Sequence, residues 1–99
     1  QHTAKVIHER AGEVLSSKTI KSGNMTPEEK ALGFPQSSLA THTEARAVRD
    51  TPLQAGDSLT IKGEYPPCPS CKGKMNSAAA ESGASVRYQW GDQTWEAGK

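Results

Sequence analysis

Two short motifs carry the residue types that can hold a metal ion and use it. The first is His-Thr-Glu at 42–44, and the second is Pro-Cys-Pro-Ser-Cys at 67–71, with 22 residues between them. One imidazole and two thiols supply three of the four ligands that zinc takes in proteins. A fourth position left for water or substrate distinguishes a catalytic zinc site from a structural one. The motifs therefore predict a catalytic Zn²⁺ site with His42, Cys68 and Cys71 as ligands.

Glu44 is a carboxylate that such a site does not need as a ligand. Zinc lowers the pKa of water to roughly 7, so Glu44 would accept a proton and leave hydroxide. The hydroxide would attack C4 of cytosine or C6 of adenine, and Glu44 would return protons to the ring nitrogen and the departing ammonia. A second interpretation stays open. Residues 41–44 also match a capping box, in which Glu44 only satisfies a backbone N–H at the helix start.

Both cysteines of the chain lie in the second motif. A single C-x-x-C is found in redox motifs and as half of a metal site. Thioredoxin-like proteins carry it near the start of a βαβ unit, whereas here it comes late, after one strand and with His42 upstream. This position favours the metal site. His2 and His8 have no comparable partners and are predicted to be surface or strand residues.

The composition indicates one small domain over residues 1–99. Hydrophobic residues make up 33% of the chain and aromatic residues 5%, so the core must be thin, and a bound metal would add to its stability. The formal net charge is +1, so contact with a nucleic acid would need a local basic patch. No apolar run is long enough to span a membrane and no signal peptide is recognisable, so no membrane contact is expected.

The pattern of apolar and turn-forming residues predicts the order β-β-α-α-β-α-β-β. Strands are expected over residues 4–9, 13–21, 58–64, 86–90 and 93–96. A short helix is expected from Pro27, with Thr26 and Glu29 as a capping box, and longer helices are expected over 41–49 and 69–80. Both halves of the metal motif thus fall at helix starts.

Helices that alternate with strands indicate an α/β sandwich of three layers, with a mixed five-stranded sheet and helices on both faces. Only Gly91 and Asp92 separate the last two strands. Because no crossover helix fits there, these two strands must be antiparallel.

On these motifs and this element order, the chain resembles the cytidine deaminase-like superfamily, whose signature is H-x-E followed by P-C-x-x-C. The residues at 41–48, Thr-His-Thr-Glu-Ala-Arg-Ala-Val, and at 66–76, Pro-Pro-Cys-Pro-Ser-Cys-Lys-Gly-Lys-Met-Asn, are similar to deaminase toxins at the C-terminal tips of bacterial polymorphic toxins. Within these, the group that contains the single-stranded DNA cytosine deaminase toxin SsdA is the most similar. The segment 24–42 is longer than in compact tRNA deaminases, so the pocket mouth is expected to differ.

The resemblance implies a zinc-dependent hydrolase that converts cytosine to uracil in single-stranded DNA and so mutates it. It also implies an interbacterial toxin, secreted or delivered by contact, that acts in the cytoplasm of the target cell. A cognate immunity protein would protect the producing cell. The chain would then be the tip of a longer protein, and a start at Gln1 fits this expectation.

The resemblance also implies substrate contacts. Asn24 matches an asparagine that contacts the sugar of the target nucleotide, although Gly-Asn is also a common turn. Tyr65 stands where DNA-editing deaminases carry an aromatic residue beside the base, although a core tyrosine at a strand end fits equally. Four basic side chains could contact phosphates or could simply be solvated: Arg46, Arg49, Lys72 and Lys74.

Two alternatives remain open at the level of sequence. The motif defines deamination better than it defines the substrate, so RNA and free nucleosides, with cytosine or adenine as the base, are also possible. The chain could instead be a non-catalytic domain that zinc stabilises and that binds a protein partner, with Glu44 acting only as a cap.

Overall fold

The computed structural model describes residues 3–21, 25–33 and 42–98, with only the backbone of Thr43 and Glu44. Its helices and strands are, in chain order, β1 (Thr3–Arg10), β2 (Glu13–Lys21), α1 (Pro27–Lys30), α2 (Thr43–Asp50), β3 (Ser58–Gly63), α3 (Pro69–Ser82), β4 (Ser85–Trp90) and β5 (Gln93–Glu96). The predicted element order is confirmed.

The five strands form one sheet in the order β2-β1-β3-β4-β5. β3 and β4 are parallel and are connected through α3, whereas the other neighbouring pairs are antiparallel. The mixed sheet and the antiparallel final hairpin are therefore confirmed. Gly91 turns the chain between β4 and β5 with a φ of 54°, a conformation that glycine adopts without strain.

Both long helices pack on one face of the sheet. The strand register places Val6, Ile61 and Tyr88 side by side, with their side chains towards the helices. Ala47 of α2 and Met75 of α3 are fully buried against these side chains. The core is one cluster, made of Ala4, Val6, Ala47, Leu59, Ile61, Cys71, Met75, Val86 and Tyr88.

The opposite face of the sheet is polar. Lys5, Lys62 and Gln89 lie side by side on it, and both lysines are exposed. The mixed sheet matches the predicted α/β class, but the predicted helices on both faces are seen on one face only among the residues the structure describes.

Local signals place the ends of two helices. Thr26 and Glu29 form the predicted capping box: the Glu29 amide donates to Thr26 Oγ1 at 3.2 Å, and the Thr26 amide donates to Glu29 Oε1 at 2.8 Å. α3 ends at Gly83, which takes a left-handed φ of 78° as predicted for a C-cap. Within the described ranges no helix has the length and apolar character needed to cross a membrane.

Candidate metal centre

His42 stands at the start of α2. It is the N-cap, with an extended backbone (φ −66°, ψ 147°), and its side chain makes no capping hydrogen bond. The imidazole lies instead against the two cysteines. His42 Nδ1 is 3.2 Å from Cys71 Sγ and 3.5 Å from Cys68 Sγ. The start of α2 therefore presents a nitrogen ligand to the second motif.

Cys68 and Cys71 stand at the start of α3. Cys68 is the N-cap, Pro69 takes the first helical position, and the Cys71 amide donates to Cys68 Sγ at 3.4 Å. One helical turn separates the two thiols, so both lie on one side of the helix start, with their sulfurs 3.1 Å apart. Cys71 is fully buried in the core, and Cys68 is half-buried.

The three side chains are placed to hold one metal ion. His42 Nδ1, Cys68 Sγ and Cys71 Sγ all lie within 4.8 Å of one another. Two thiolates on one tetrahedral zinc ion lie roughly 3.8 Å apart. The cysteine sulfurs here are 3.1 Å apart, so zinc binding would have to widen this pair. Two sulfurs and one imidazole suit zinc, whereas Mg²⁺ and Ca²⁺ prefer oxygen ligands.

The position of Glu44 in α2 tests one of its two interpretations. A capping box needs the glutamate at the third helical position after the N-cap. Because His42 is the N-cap, Glu44 is the second helical residue, and Ala45 is the third. The capping-box interpretation of Glu44, which required the helix to start from Thr41, is therefore wrong. Its predicted catalytic role stays a prediction.

The two predicted substrate contacts are Tyr65 and Asn24. Tyr65 lies between β3 and Cys68 and is 54% exposed, so the alternative of a core tyrosine is wrong. Its carbonyl oxygen accepts a 2.7 Å hydrogen bond from the Tyr88 hydroxyl. An exposed ring three residues before Cys68 can meet a base, and this role stays a prediction. Asn24 lies outside the described residues.

Arg46 and Arg49, predicted as phosphate contacts, both bind the buried carboxylate of Glu29, and the Arg49 side chain is still 44% exposed. Their contact with phosphate stays a prediction. Arg46 donates to both oxygens of Glu29, at 2.9 and 3.1 Å, and Arg49 donates to Glu29 Oε2 at 2.6 Å. Arg46 also donates to the Lys21 carbonyl at 2.7 Å. These bonds connect α2 to α1 and to the end of β2. The hydrogen bonds from Arg46 hold the pKa of Glu29 well below its usual range.

The two lysines next to the cysteines occupy different surroundings. Lys72 follows Cys71, and its Nζ lies 5.8 Å from the centre of the Trp95 ring, within cation–π range. Lys74 lines a groove between α2 and α3 together with Arg49. Neither position excludes phosphate contact, and both contacts stay predictions.

A second cluster of titratable residues lies at the other end of β3 and was missed from the sequence. Asp57, directly before β3, is buried against His8 Nε2 at 2.8 Å. Arg10 donates to both of its carboxylate oxygens at 2.8 and 2.9 Å, and the Gln54 amide donates at 2.9 Å. Arg10 above all holds the pKa of Asp57 well below its usual range. Its partners lie 47 and 49 residues away in sequence, so only the strand pairing reveals the cluster.

Comparison with known proteins identifies the family of the chain. A family model described as Pput2613-deam:-like deaminase matches residues 1–99, the full length of the chain. No curated protein matches it. The match supports the predicted deaminase domain, and the narrower resemblance to the SsdA group stays a prediction.

Proposed function

This chain belongs to the Pput2613-deam:-like deaminase family, and we propose that it is a zinc-dependent hydrolase that converts cytosine to uracil in single-stranded DNA. The observation that carries the proposal is the set of three donors, His42, Cys68 and Cys71, gathered at two helix starts. Three protein ligands leave zinc a position for water or substrate, which fits a catalytic site better than a closed structural one.

Hydrolytic deamination needs a nucleophile and a group that moves protons. Zinc, when bound, acts as a Lewis acid that makes water acidic enough to supply a nucleophile near neutral pH. Glu44, two residues after His42 in the first turn of α2, accepts a proton from the attacking water. It then delivers protons to N3 of cytosine and to the departing amino group. One water is consumed and one ammonia is released.

The cytosine must leave the stack of bases before water can reach C4, which makes a single strand the favoured substrate. The exposed Tyr65 ring, three residues before the metal ligand Cys68, offers a stacking surface for a base. Lys72 and Lys74, on the first turns of α3, are placed on the same helix as Cys71 and would neutralise phosphates. Together these residues support a polynucleotide strand over a free nucleoside.

The biological role that we propose is that of an interbacterial toxin. Its support is the resemblance of residues 41–48 and 66–76 to the deaminase tips of polymorphic toxins. The protein would be secreted or delivered by contact, deaminate DNA in the cytoplasm of the target cell, and be neutralised in the producer by a cognate immunity protein.

A substrate panel tests the proposed reaction. Zinc-loaded protein is incubated with cytosine- and adenine-containing DNA and RNA, single- and double-stranded, and with free nucleosides. Mass spectrometry then follows the replacement of NH by O. Conversion of cytosine in single-stranded DNA, faster than in any other substrate, is the expected result. Preferred conversion of RNA, of adenine or of free nucleosides would replace the proposed substrate, and no conversion of any substrate would refute the deaminase reaction.

A further inference from the structure

A short link joins the sheet to the metal ligands. β3 ends at Gly63, and Cys68 is the N-cap of α3, so residues 64–67 set where the first thiol stands relative to the sheet. Tyr65 lies in this link, with its side chain exposed. The course of the link therefore determines where the Tyr65 ring stands beside the metal ligands.

Tyr88 reaches this link from the neighbouring strand β4. The residue is 3% exposed and belongs to the core. Its hydroxyl nevertheless has a polar partner, because it donates a 2.7 Å hydrogen bond to the Tyr65 carbonyl oxygen. A tyrosine whose ring is fixed by core packing holds its hydroxyl in one place, and so holds the backbone that the hydroxyl binds. Tyr88 thus connects the rigid core to the link.

Gly63 makes room for this connection. A Cβ atom at position 63 would overlap the Tyr88 hydroxyl oxygen and would lie 2.5 Å from its Cζ. Gly63 is not among the glycines with positive φ, so its backbone conformation does not require glycine. Position 63 needs a residue without a side chain, because the hydroxyl end of the Tyr88 ring lies over this last residue of β3. Gly63 and Tyr88 therefore form a matched pair at the carboxyl end of the strand.

We propose that the Tyr88 hydroxyl is a positioning group that orients the Tyr65 ring towards the target base. This inference rests on the proposed function. Cys68 is held by the start of α3, where the Cys71 amide donates to its sulfur. Tyr65 stands three residues earlier in the link, and its carbonyl is the atom that Tyr88 binds. Loss of the hydroxyl therefore displaces the Tyr65 ring more than it displaces Cys68.

The Tyr88→Phe variant tests this role because it removes the hydroxyl and keeps the buried ring. The expected result is a rise in KM for a single-stranded cytosine oligonucleotide of roughly two- to tenfold, the range of one lost hydrogen bond. We expect a smaller change in kcat, unchanged zinc content, and an unchanged absorption spectrum of the cobalt-substituted protein. Thr51→Val is the matched control, because the buried Thr51 hydroxyl has no hydrogen-bond partner among the described residues. It should leave KM unchanged.

A double-mutant cycle with Tyr65→Ala separates positioning from a general structural effect. Without the Tyr65 ring, Tyr88→Phe should raise KM no further. The same rise in both backgrounds, or no rise in either, overturns the inference.

A binding measurement keeps this test separate from the proposed function. The affinity for the same oligonucleotide is measured without turnover for the wild type, the two single variants and the double variant. If the wild type converts no substrate but binds the oligonucleotide, the binding pattern decides the inference alone. A Tyr88→Phe effect that depends on Tyr65 supports it, and an effect independent of Tyr65 overturns it. If the wild type does not bind the oligonucleotide, the inference is refuted together with the proposed substrate.

Discussion

The two ends of β3 each gather buried or half-buried titratable side chains, but they use them differently. At the amino end, the Asp57 carboxylate has four polar contacts, with Arg10 twice, with His8 and with the Gln54 amide. Three of these contacts are at Oδ2 and one is at Oδ1, so both oxygens of the buried carboxylate have partners. At the carboxyl end, the atoms of His42, Cys68 and Cys71 that lie together are electron-pair donors within 4.8 Å of one another.

The difference indicates what each end contributes. The buried Asp57 carboxylate joins β1, β3 and the loop before it, and both of its oxygens are engaged by protein donors. Three crowded electron-pair donors gain stability from a cation, and zinc is the cation that their chemistry suits. We therefore assign stability to the amino end and the reaction to the carboxyl end. Substitutions at the amino end of β3 should therefore change mainly stability, and substitutions at the carboxyl end should change mainly activity.

Loss of the metal is the largest effect that we expect on the reaction. Cys71→Ser, or removal of zinc by a chelator, should reduce deamination to the uncatalysed background, because a nucleophile is no longer generated near neutral pH. Metal content and product formation are measured together. Ser70→Ala, in the same helical turn, is the control and should keep both. Full activity in a variant that holds no metal would remove the carboxyl end from the reaction.

Asp57→Asn is the largest effect that we expect on stability. The amide cannot accept hydrogen bonds at both of its ends, so the buried His8 and the partly exposed Arg10 each lose part of their partner. The melting temperature should fall by on the order of 10 °C. The activity of each folded, zinc-loaded molecule should stay within about twofold of wild type. Thermal unfolding and initial rates check both expectations, and a large loss of activity without a loss of stability would reverse the assignment of the two ends.

Acid should lower the stability of the folded protein, because it protonates the buried carboxylates of Glu29 and Asp57. The folded-state pKa values of Glu29 and Asp57 lie below their ordinary values of 4.5 and 3.8. Their contribution to stability is therefore complete above about pH 5 and is lost as the pH falls through the folded pKa values. The urea midpoint of the metal-free protein, followed from pH 7 to pH 2, should fall below about pH 4.5. Asp57→Asn should flatten this fall, and an unchanged slope would show that Asp57 does not contribute.

Two glycines should change stability in opposite directions. Gly63→Ala meets the Tyr88 ring end and should destabilise the fold by about 1–3 kcal/mol. Gly73→Ala, inside α3 with nothing within 4 Å of the added Cβ, should stabilise it by about 0.5–1 kcal/mol. Urea unfolding of both variants measures the difference. Equal effects of the two substitutions would mean that Tyr88 does not restrict the carboxyl end of β3.

The sequence predicts most elements of the fold because their signals are local. β2 begins and ends as predicted, at Glu13 and Lys21, and the capping box at Thr26 places α1. The start of α2 was predicted at Thr41, before its N-cap at His42. Threonine is a preferred N-cap and histidine is not, so local capping rules favour Thr41. The imidazole of His42 instead contacts two cysteines far along the chain. Local rules do not contain that contact.

The metal cluster was predictable because each half is a short motif with fixed spacing. The ion clusters were not predictable, since Glu29 lies 17 and 20 residues from its arginines and Asp57 lies 47 and 49 residues from its partners. Such pairs depend on strand register and on helix placement. The binding of the Arg46 guanidinium to Glu29 was missed for the same reason.

The rate of cytosine-to-uracil conversion by Glu44→Gln is the most direct test of the central claim, that the carboxyl end of β3 carries a zinc-dependent deamination in which Glu44 moves the protons. Glutamine keeps the size of the side chain and cannot accept the proton. The variant should bind one zinc, unfold at the wild-type temperature, and convert a single-stranded cytosine oligonucleotide roughly 10²- to 10⁴-fold more slowly than wild type. Conversion at the wild-type rate by the zinc-loaded variant would contradict the account.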